Sequence, residues 1–364
     1  MIAGCDYLVP IELDPEADRD AWIAERLKGI GGSDAAAVVG EHPEMTPVDV
    51  WHERWTGVQS FVDNERTEMG RILEPVVLEL FAAGSPRWPR SGGPLTVRKP
   101  PSCYHRDRSW QRGSPDGFVY YPEQIVSIAP GVDLIRSAYR PHAIIEIKTH
   151  GWFGAKNYAK APAYYVPEDG PEPVISIPGD KRIQIAWYMA LCDVDVAYLA
   201  CLIDTHLRRT FVLHRDRELE SMLIEEVDLF WRKHVLTGEP PPPDGTERYS
   251  KYLAGRFKTH TDQLVMSTPE VELAVQALVA VKRDLKRLEK DKELAAQVIK
   301  RHIGENIGVR TALGPVTWKS QPSGKLRDKD ARKELYEVAG WTDTEIAVFE
   351  ERYKQPDHRV LRTP

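Results

Sequence analysis

The sequence predicts an α/β (α+β) fold, a β-sheet with helices laid against it, on three observations. Two short apolar strands, 118–121 and 143–149, follow one another across a Pro-rich spacer, 122–141. Apolar residues recur at helical spacing over 65–83 (ERTEMGRILEPVVLELFAA) and 181–191 (KRIQIAWYMAL). A further pair of strands, 194–203 and 209–214, follows the second of these helices and completes the sheet.

Taken in order, 21–27 is a short helix running into the glycine-rich GIGGSDAAAVVG, 29–40. Ser33 and Asp34 stand where an N-cap would, and the AAAVV that follows supplies a helix whose free N–H groups can receive an anion. An ordinary tight turn with its cap fits the same residues. A Walker loop is excluded, because no Gly-Lys-Ser/Thr follows. Residues 47–55 form another helix. In 65–83, Met69, Leu73, Val76, Val77, Leu80 and Phe81 define a buried stripe. Glu74 lies beside it, followed by Pro75, which costs about 3 kcal/mol in a helix interior and predicts a kink or a new turn.

Between this helix and the strands runs a basic stretch, Arg87, Arg90, Arg98, Lys99, Arg106, Arg108 and Arg112, opposed only by Asp107. It reads as a loop that tracks phosphates, or equally as a solvated one. Beyond the strands, 152–178 is rich in aromatics, prolines and lysines and predicts an irregular flap. There Trp152, Lys156, Tyr158 and Lys160 contact a nucleotide strand, or the rings pack down and the lysines face water. On the helix 181–191, Gln184 and Tyr188 share one face at i and i+4. An amphipathic helix over 218–236 closes a first domain, 1–240, and the proline-rich 237–247 links it to an extension, 248–364. In the extension, heptad-like Val271, Leu273, Val275, Leu278, Val281, Leu285, Leu288 and Leu294 predict one long helix over 268–303, packed on the core or on a partner. A hairpin over 304–319 and a short helix over 328–339 follow.

Composition narrows the function classes. The chain has 364 residues, 42% of them hydrophobic, enough for a sizeable core. A formal net charge of −6 argues against indiscriminate coating of nucleic acid but leaves room for a local basic groove. No apolar run long enough to span a membrane occurs, and MIAGCDYLVPIELD lacks a signal-peptide pattern, so the expected location is the cytoplasm. Cys5, Cys103, Cys192 and Cys201 show no CxxC pairing, which predicts neither a zinc site nor a disulfide framework.

The chemistry concentrates in 112–150. Asp116 sits in a Ser-Pro-Asp-Gly turn at the mouth of the first strand. Glu146 and Lys148, two apart on the second, point to one face while Ile145 and Ile147 point to the other. Paired carboxylate oxygens are hard ligands for Mg2+ or Mn2+, ions that also engage phosphate oxygens. A lysine beside them can orient or deprotonate water and neutralise charge on a pentavalent phosphorus. Alone, the short D…ExK pattern also fits a surface hairpin with an exposed ion pair worth less than about 1 kcal/mol.

In chain order, GIGGSDAAAVVG, GRILEPVV, GSPDGFV, IIEIKTH, KRIQIAWYMAL and FWRKHVLTGEPPPPD resemble the YqaJ-type phage recombinase nucleases, relatives of lambda exonuclease in the PD-(D/E)XK superfamily. The resemblance covers roughly the first two thirds of the chain. It implies a PD-(D/E)XK core, a mixed central β-sheet flanked by helices, with a helical and hairpin C-terminal extension. It also implies that Asp116, Glu146 and the Ile147 carbonyl ligate Mg2+ (or Mn2+), with Glu74 completing the acidic site through water. Lys148 then positions the attacking water and Gln184 faces the active centre. Arg26 and Ser33 keep the spacing of a 5′-phosphate pocket, with Asp34, Lys181 and Tyr188 among the DNA-facing residues. Lys181 and Ala186 depart from the family's frequent Tyr and second Gln. The implied activity is metal-dependent, 5′-to-3′ exonucleolytic digestion of linear double-stranded DNA in recombination by single-strand annealing. The implied partners are DNA ends, an annealing protein, and further copies of the chain in a ring trimer. The alternatives are a RecB-like nuclease, a structure-specific endonuclease, and an inactive DNA-binding protein on a nuclease fold.

Overall fold

A computed structural model describes residues 5–14, 17–59, 64–84, 95–121, 125–129, 132–135, 140–151, 164–165, 177–204, 207–319 and 335–352. Its centre is a six-stranded mixed sheet in the order β2 (Thr96–Arg98), β5 (Gly117–Tyr120), β8 (Ala143–His150), β10 (Val196–Ile203), β11 (Leu207–His214) and β9 (Tyr164–Tyr165). β8 is antiparallel to β5 and parallel to β10. A parallel step needs a crossover, and α5 (Gly179–Cys192) makes it.

Because β8 is buried on both faces, its sequence is an apolar run broken only where chemistry is needed. Ile145 and Ile147 pack with Val77 and Phe81 of α4 (Glu65–Ala82), whereas Ile144 joins the cluster of Ile183 and Trp187 on α5. Glu146 shares the α5 side, as alternation requires. α5 is apolar almost all round because the sheet covers one side and α2 (Gly32–Val38) and α6 (Arg217–Phe230) cover the other.

Several expectations are corrected. The basic stretch is sheet as well as loop: β3 (Cys103–His105) and β4 (Arg108–Gly113) join β1 (Leu8–Pro10) in a three-stranded sheet, and Cys103 and Gln111 between the arginines are fully buried. Arg87 and Arg90 lie outside the described residues, as do Trp152, Lys156, Tyr158 and Lys160 of the expected flap. The 122–141 spacer contains its own hairpin, β6 (Ile125–Ala129) and β7 (Val132–Ile135). α4 runs unbroken through Pro75, which lies with Arg71 on the exposed side of the helix. Its stripe is Val77 and Phe81 with Leu78 and Leu80; Met69 and Val76 are half exposed. α2 is capped at Gly31, not at Ser33 or Asp34. α6 stops at Phe230 and a π-helical turn, Trp231–Val235, carries the chain on.

Two compact units result, 1–252 and 253–364. The first therefore extends past the proline run: the buried Tyr249 of α7 (Glu247–Arg256) donates its hydroxyl to the Pro241 carbonyl at 2.9 Å, and Tyr252 packs edge-on against Trp51 of α3 (Pro47–Thr56) at 5.6 Å. The second unit holds α8 (Pro269–Ile303), the hairpin β12 (Gly308–Thr311) and β13 (Gly314–Thr317), and α9 (Asp343–Arg352). Of the expected 328–339 helix, only 335–339 is described, and it is helical. Along α8, Leu273, Val281, Leu285, Leu288 and Leu294 are all more than half exposed. Among the described residues, no helix is long and apolar enough to cross a membrane.

Candidate active site

Asp116 stands at the bend that enters β5, and its Oδ2 accepts the Ile147 N–H at 2.6 Å. Pairing between β5 and β8 ends at Gly117 and Ile145, so this side-chain bond takes over where the ladder stops. A strand residue turns its N–H and C=O to the same edge, so the Ile147 carbonyl faces the Asp116 side as well. Glu146 is 3% exposed. Its Oε1 accepts from the Lys148 ammonium and, at 2.7 Å, from Gln184 Nε2 on α5. Its Oε2 is buried and, among the described residues, has no hydrogen-bond partner.

The electrostatics follow from this crowding. Burial, then the charges of Glu146 and Glu74, push the Asp116 carboxyl well above its usual range, against the opposing pull of Lys148 and the Ile147 amide. Burial alone would lower Lys148, but Glu146 and Asp116 outweigh it and hold the amine above its ordinary value, so it is an ammonium. Glu74 on α4 is salt-bridged to Lys99. It reaches Asp116 through its charge. Thus Glu146, Lys148 and Gln184 meet directly, Asp116 joins them through the Ile147 N–H and its charge, and Glu74 stands at the margin.

Among the described residues, no three His, Cys, Asp or Glu side chains converge as a ready cation cage. The donors that do converge still suit a magnesium-type ion: one orphaned buried carboxylate oxygen, a second carboxylate beside it, and a backbone carbonyl. All are hard oxygens, and they leave the remaining positions to water and phosphate.

Beside the acids lies a cavity of about 220 Å3 whose walls include Trp22, Arg26, Ser33, Arg112, Ser114 and Tyr188. An isolated bridge between Ile30 and Gln111 ties the glycine-rich loop to β4 and so brings Arg26 and Ser33 against the Asp116 turn. Tyr188, one helical turn beyond Gln184, joins the cavity to the acidic pair; burial pushes its phenol far up, so it remains a neutral hydroxyl. Asp34 does not face the cavity as expected from sequence. It is fully buried, accepting the Gly31 N–H at 2.9 Å and pairing with Arg54. Lys181 is not part of the cavity wall either. It pairs with Asp180 at 2.6 Å, and with burial and Lys148 it helps to pull the His150 pKa down to about 4. Sequence reasoning missed Ser114 and treated Arg112 only as part of a basic run; the one available signal was the position of Ser114, two before Asp116.

Gly32 sets how closely α2 approaches α5. A Cβ there would stand 2.8 Å from Gln184 Cγ and 2.9 Å from Tyr188 Cε1. Gly32→Ala is therefore expected to push Gln184 off Glu146, costing about 1–3 kcal/mol in urea unfolding and lowering any hydrolysis at this site by about 10- to 100-fold. Unchanged stability and rate would show that the close packing does not matter.

The profile of the YqaJ-like viral recombinase domain matches residues 21–195, from α1 (Arg19–Arg26) to just past α5. Over this stretch the chain is similar to a YqaJ-like viral recombinase domain. The stretch contains the acidic pair and, apart from Ile11, the residues that line the cavity. The uncharacterized protein YqaJ of Bacillus subtilis (strain 168) is 27% identical over 288 residues, which are 78% of each chain. An alkaline exonuclease from Laribacter hongkongensis is 18% identical with a TM-score of 0.42, covering 65% of this chain and 98% of its own. A phage related exonuclease from Haemophilus somnus 129PT is 15% identical with a TM-score of 0.37, covering 57% and 94%.

Proposed function

We propose that this chain carries a metal-dependent exonuclease that degrades linear double-stranded DNA from 5′ ends in phage-type recombination by single-strand annealing. The observation that carries this reading is the clamp on Glu146: one oxygen is held by Lys148 and Gln184, and the other is buried, ionisable and unpartnered beside Asp116. A stable core does not call for such an oxygen, and hard-cation chemistry does.

Asp116, Glu146 and the Ile147 carbonyl would hold Mg2+ or Mn2+, with Glu74 reaching it through water. The ion would supply Lewis acidity at the scissile phosphate. The chain's own groups do the rest. Lys148, held as an ammonium, orients the attacking water and offsets the negative charge that grows on the phosphoryl oxygens. Gln184 fixes the Glu146 rotamer. Arg26 and Ser33 bind the terminal phosphate in the cavity, with the Tyr188 hydroxyl at its inner wall. Lys181, at the same end of β8 as His150, meets the DNA backbone. Exonucleolytic action is supported by the cavity's size, which suits one terminal group beside the acids rather than a continuous strand. An annealing protein, a ring of three copies and a bacterial cytoplasm are further parts of this reading that come from the family resemblance alone.

The test is linear duplex DNA carrying a labelled 5′-phosphate, beside closed circular DNA, each with Mg2+ or with EDTA. Release of label from the linear substrate only, and only with Mg2+, is the expected outcome. A cut circle would mean an endonuclease.

A further inference from the structure

Arg54 on α3 is not part of the cavity wall, yet its side chain, 1% exposed, is tied to the loop that forms that wall. Its Nε donates to the Gly29 carbonyl at 2.9 Å, its Nη1 to Glu53 Oε2 at 2.9 Å, and its Nη2 pairs with Asp34 Oδ2. Asp34 spends Oδ2 on Arg54 and the Gly31 N–H. Its Oδ1 is buried, has no hydrogen bond among the described residues, and lies 3.8 Å from Nη2 of Arg26, the cavity's most exposed cation. Three residues thus stand in series from the protein interior to the cavity: Arg54, Asp34, Arg26.

We infer that Arg54 is a positioning residue for 5′-end selection, fixing Asp34 so that Asp34 can hold Arg26 where a terminal phosphate is received. This rests on the reading of the cavity as a 5′-phosphate pocket. Three arguments support it. First, a guanidinium that serves three acceptors from one plane has a geometry that lysine cannot reproduce, and here it pins both the start (Gly29) and the first helical turn (Asp34) of a glycine-rich loop that would otherwise be loose. Second, charge balance leaves Asp34 free to act outward: Glu53 offsets Arg54, so the Asp34 charge faces Arg26. Burial opposes that charge, yet Arg54 and Arg26 together keep the Asp34 carboxyl below its usual range, so it is ionised. Third, a buried ion network adds little stability compared with apolar packing of the same volume, so stability alone does not account for it. A pre-placed Arg26 spends less ordering entropy when phosphate arrives than a free surface arginine does.

The experiment measures initial digestion rates of the full chain on one blunt duplex with either 5′-phosphoryl or 5′-hydroxyl ends, in Mg2+, and takes their ratio. The ratio is insensitive to how much of a variant is folded, since misfolding lowers both rates alike. Arg26→Ala is the reference for the pocket itself. Arg54→Met is expected to cut the ratio by about tenfold, close to the value for Arg26→Ala, and Arg54→Lys to give an intermediate value. Should Arg54→Met yield no folded protein, Asp34→Asn cuts the same series on its other side and must lower the ratio likewise. A wild-type ratio in the Arg54 or Asp34 variants, with the ratio lost in Arg26→Ala, overturns the role of Arg54. A ratio that Arg26→Ala also leaves unchanged overturns the pocket, and this inference with it.

Discussion

Replacing Lys148 with methionine is expected to slow cleavage of linear duplex DNA by about 10²- to 10³-fold while leaving DNA affinity nearly unaltered. Methionine matches the length of the lysine stem, so the packing beside β8 survives and only the ammonium is lost. That ammonium is held on Glu146 and kept charged by both acids, which places it to act on a phosphoryl group in the transition state rather than to bind DNA in the ground state. The effect should therefore fall on the single-turnover rate and not on binding measured in EDTA. A rate within a few-fold of wild type would remove Lys148 from the chemistry.

Asp116→Asn is expected to move activity and stability in opposite directions. Asparagine can still accept the Ile147 N–H, so the bend is kept, but the ligand charge is gone and hydrolysis should fall below detection. Stability should rise. In the folded chain the Asp116 carboxyl is raised above its unfolded value, so the native state binds that proton more tightly than the unfolded state does. The resulting stabilisation is complete below the unfolded pKa, about 4, and is lost as pH rises through the folded value. Above the folded pKa, wild type without metal thus carries a buried, repelled carboxylate that the variant lacks. The variant should melt about 2–8 °C higher, the equivalent of roughly 1–2 kcal/mol. At pH 4 the difference should vanish. Mg2+ should raise the melting temperature of wild type and not of the variant. A variant less stable than wild type in EDTA above the folded pKa would contradict the crowding on which the site depends.

The parts of this architecture that could be read from sequence are those whose partners are close along the chain or enforced by a period. Alternation along 143–150 separates Glu146 and Lys148 from Ile145 and Ile147, and helical spacing puts Gln184 and Tyr188 on one face; both hold in three dimensions. Three kinds of feature were illegible for physical reasons. Arg54 and Arg112 are buried arginines whose meaning lies in contacts with Gly29, Asp34 and Glu25, 20 to 87 residues away along the chain, and no local pattern marks a buried guanidinium. The basic stretch hides strands because its arginines are interspersed with Cys103 and Trp110, which pack into the core, and with the fully buried Gln111. Pro75 should break α4 by propensity, yet the helix runs through it on its exposed side.

The claim beneath all of this is that Asp116 and Glu146 together seat a divalent cation. Crystals of the full chain soaked in Mn2+ test it through anomalous difference density. The expected result is a peak between the Asp116 carboxylate and Glu146 Oε2, within coordinating distance of the Ile147 carbonyl, and absent in Asp116→Asn. Manganese bound elsewhere, with those oxygens left bare, would contradict it.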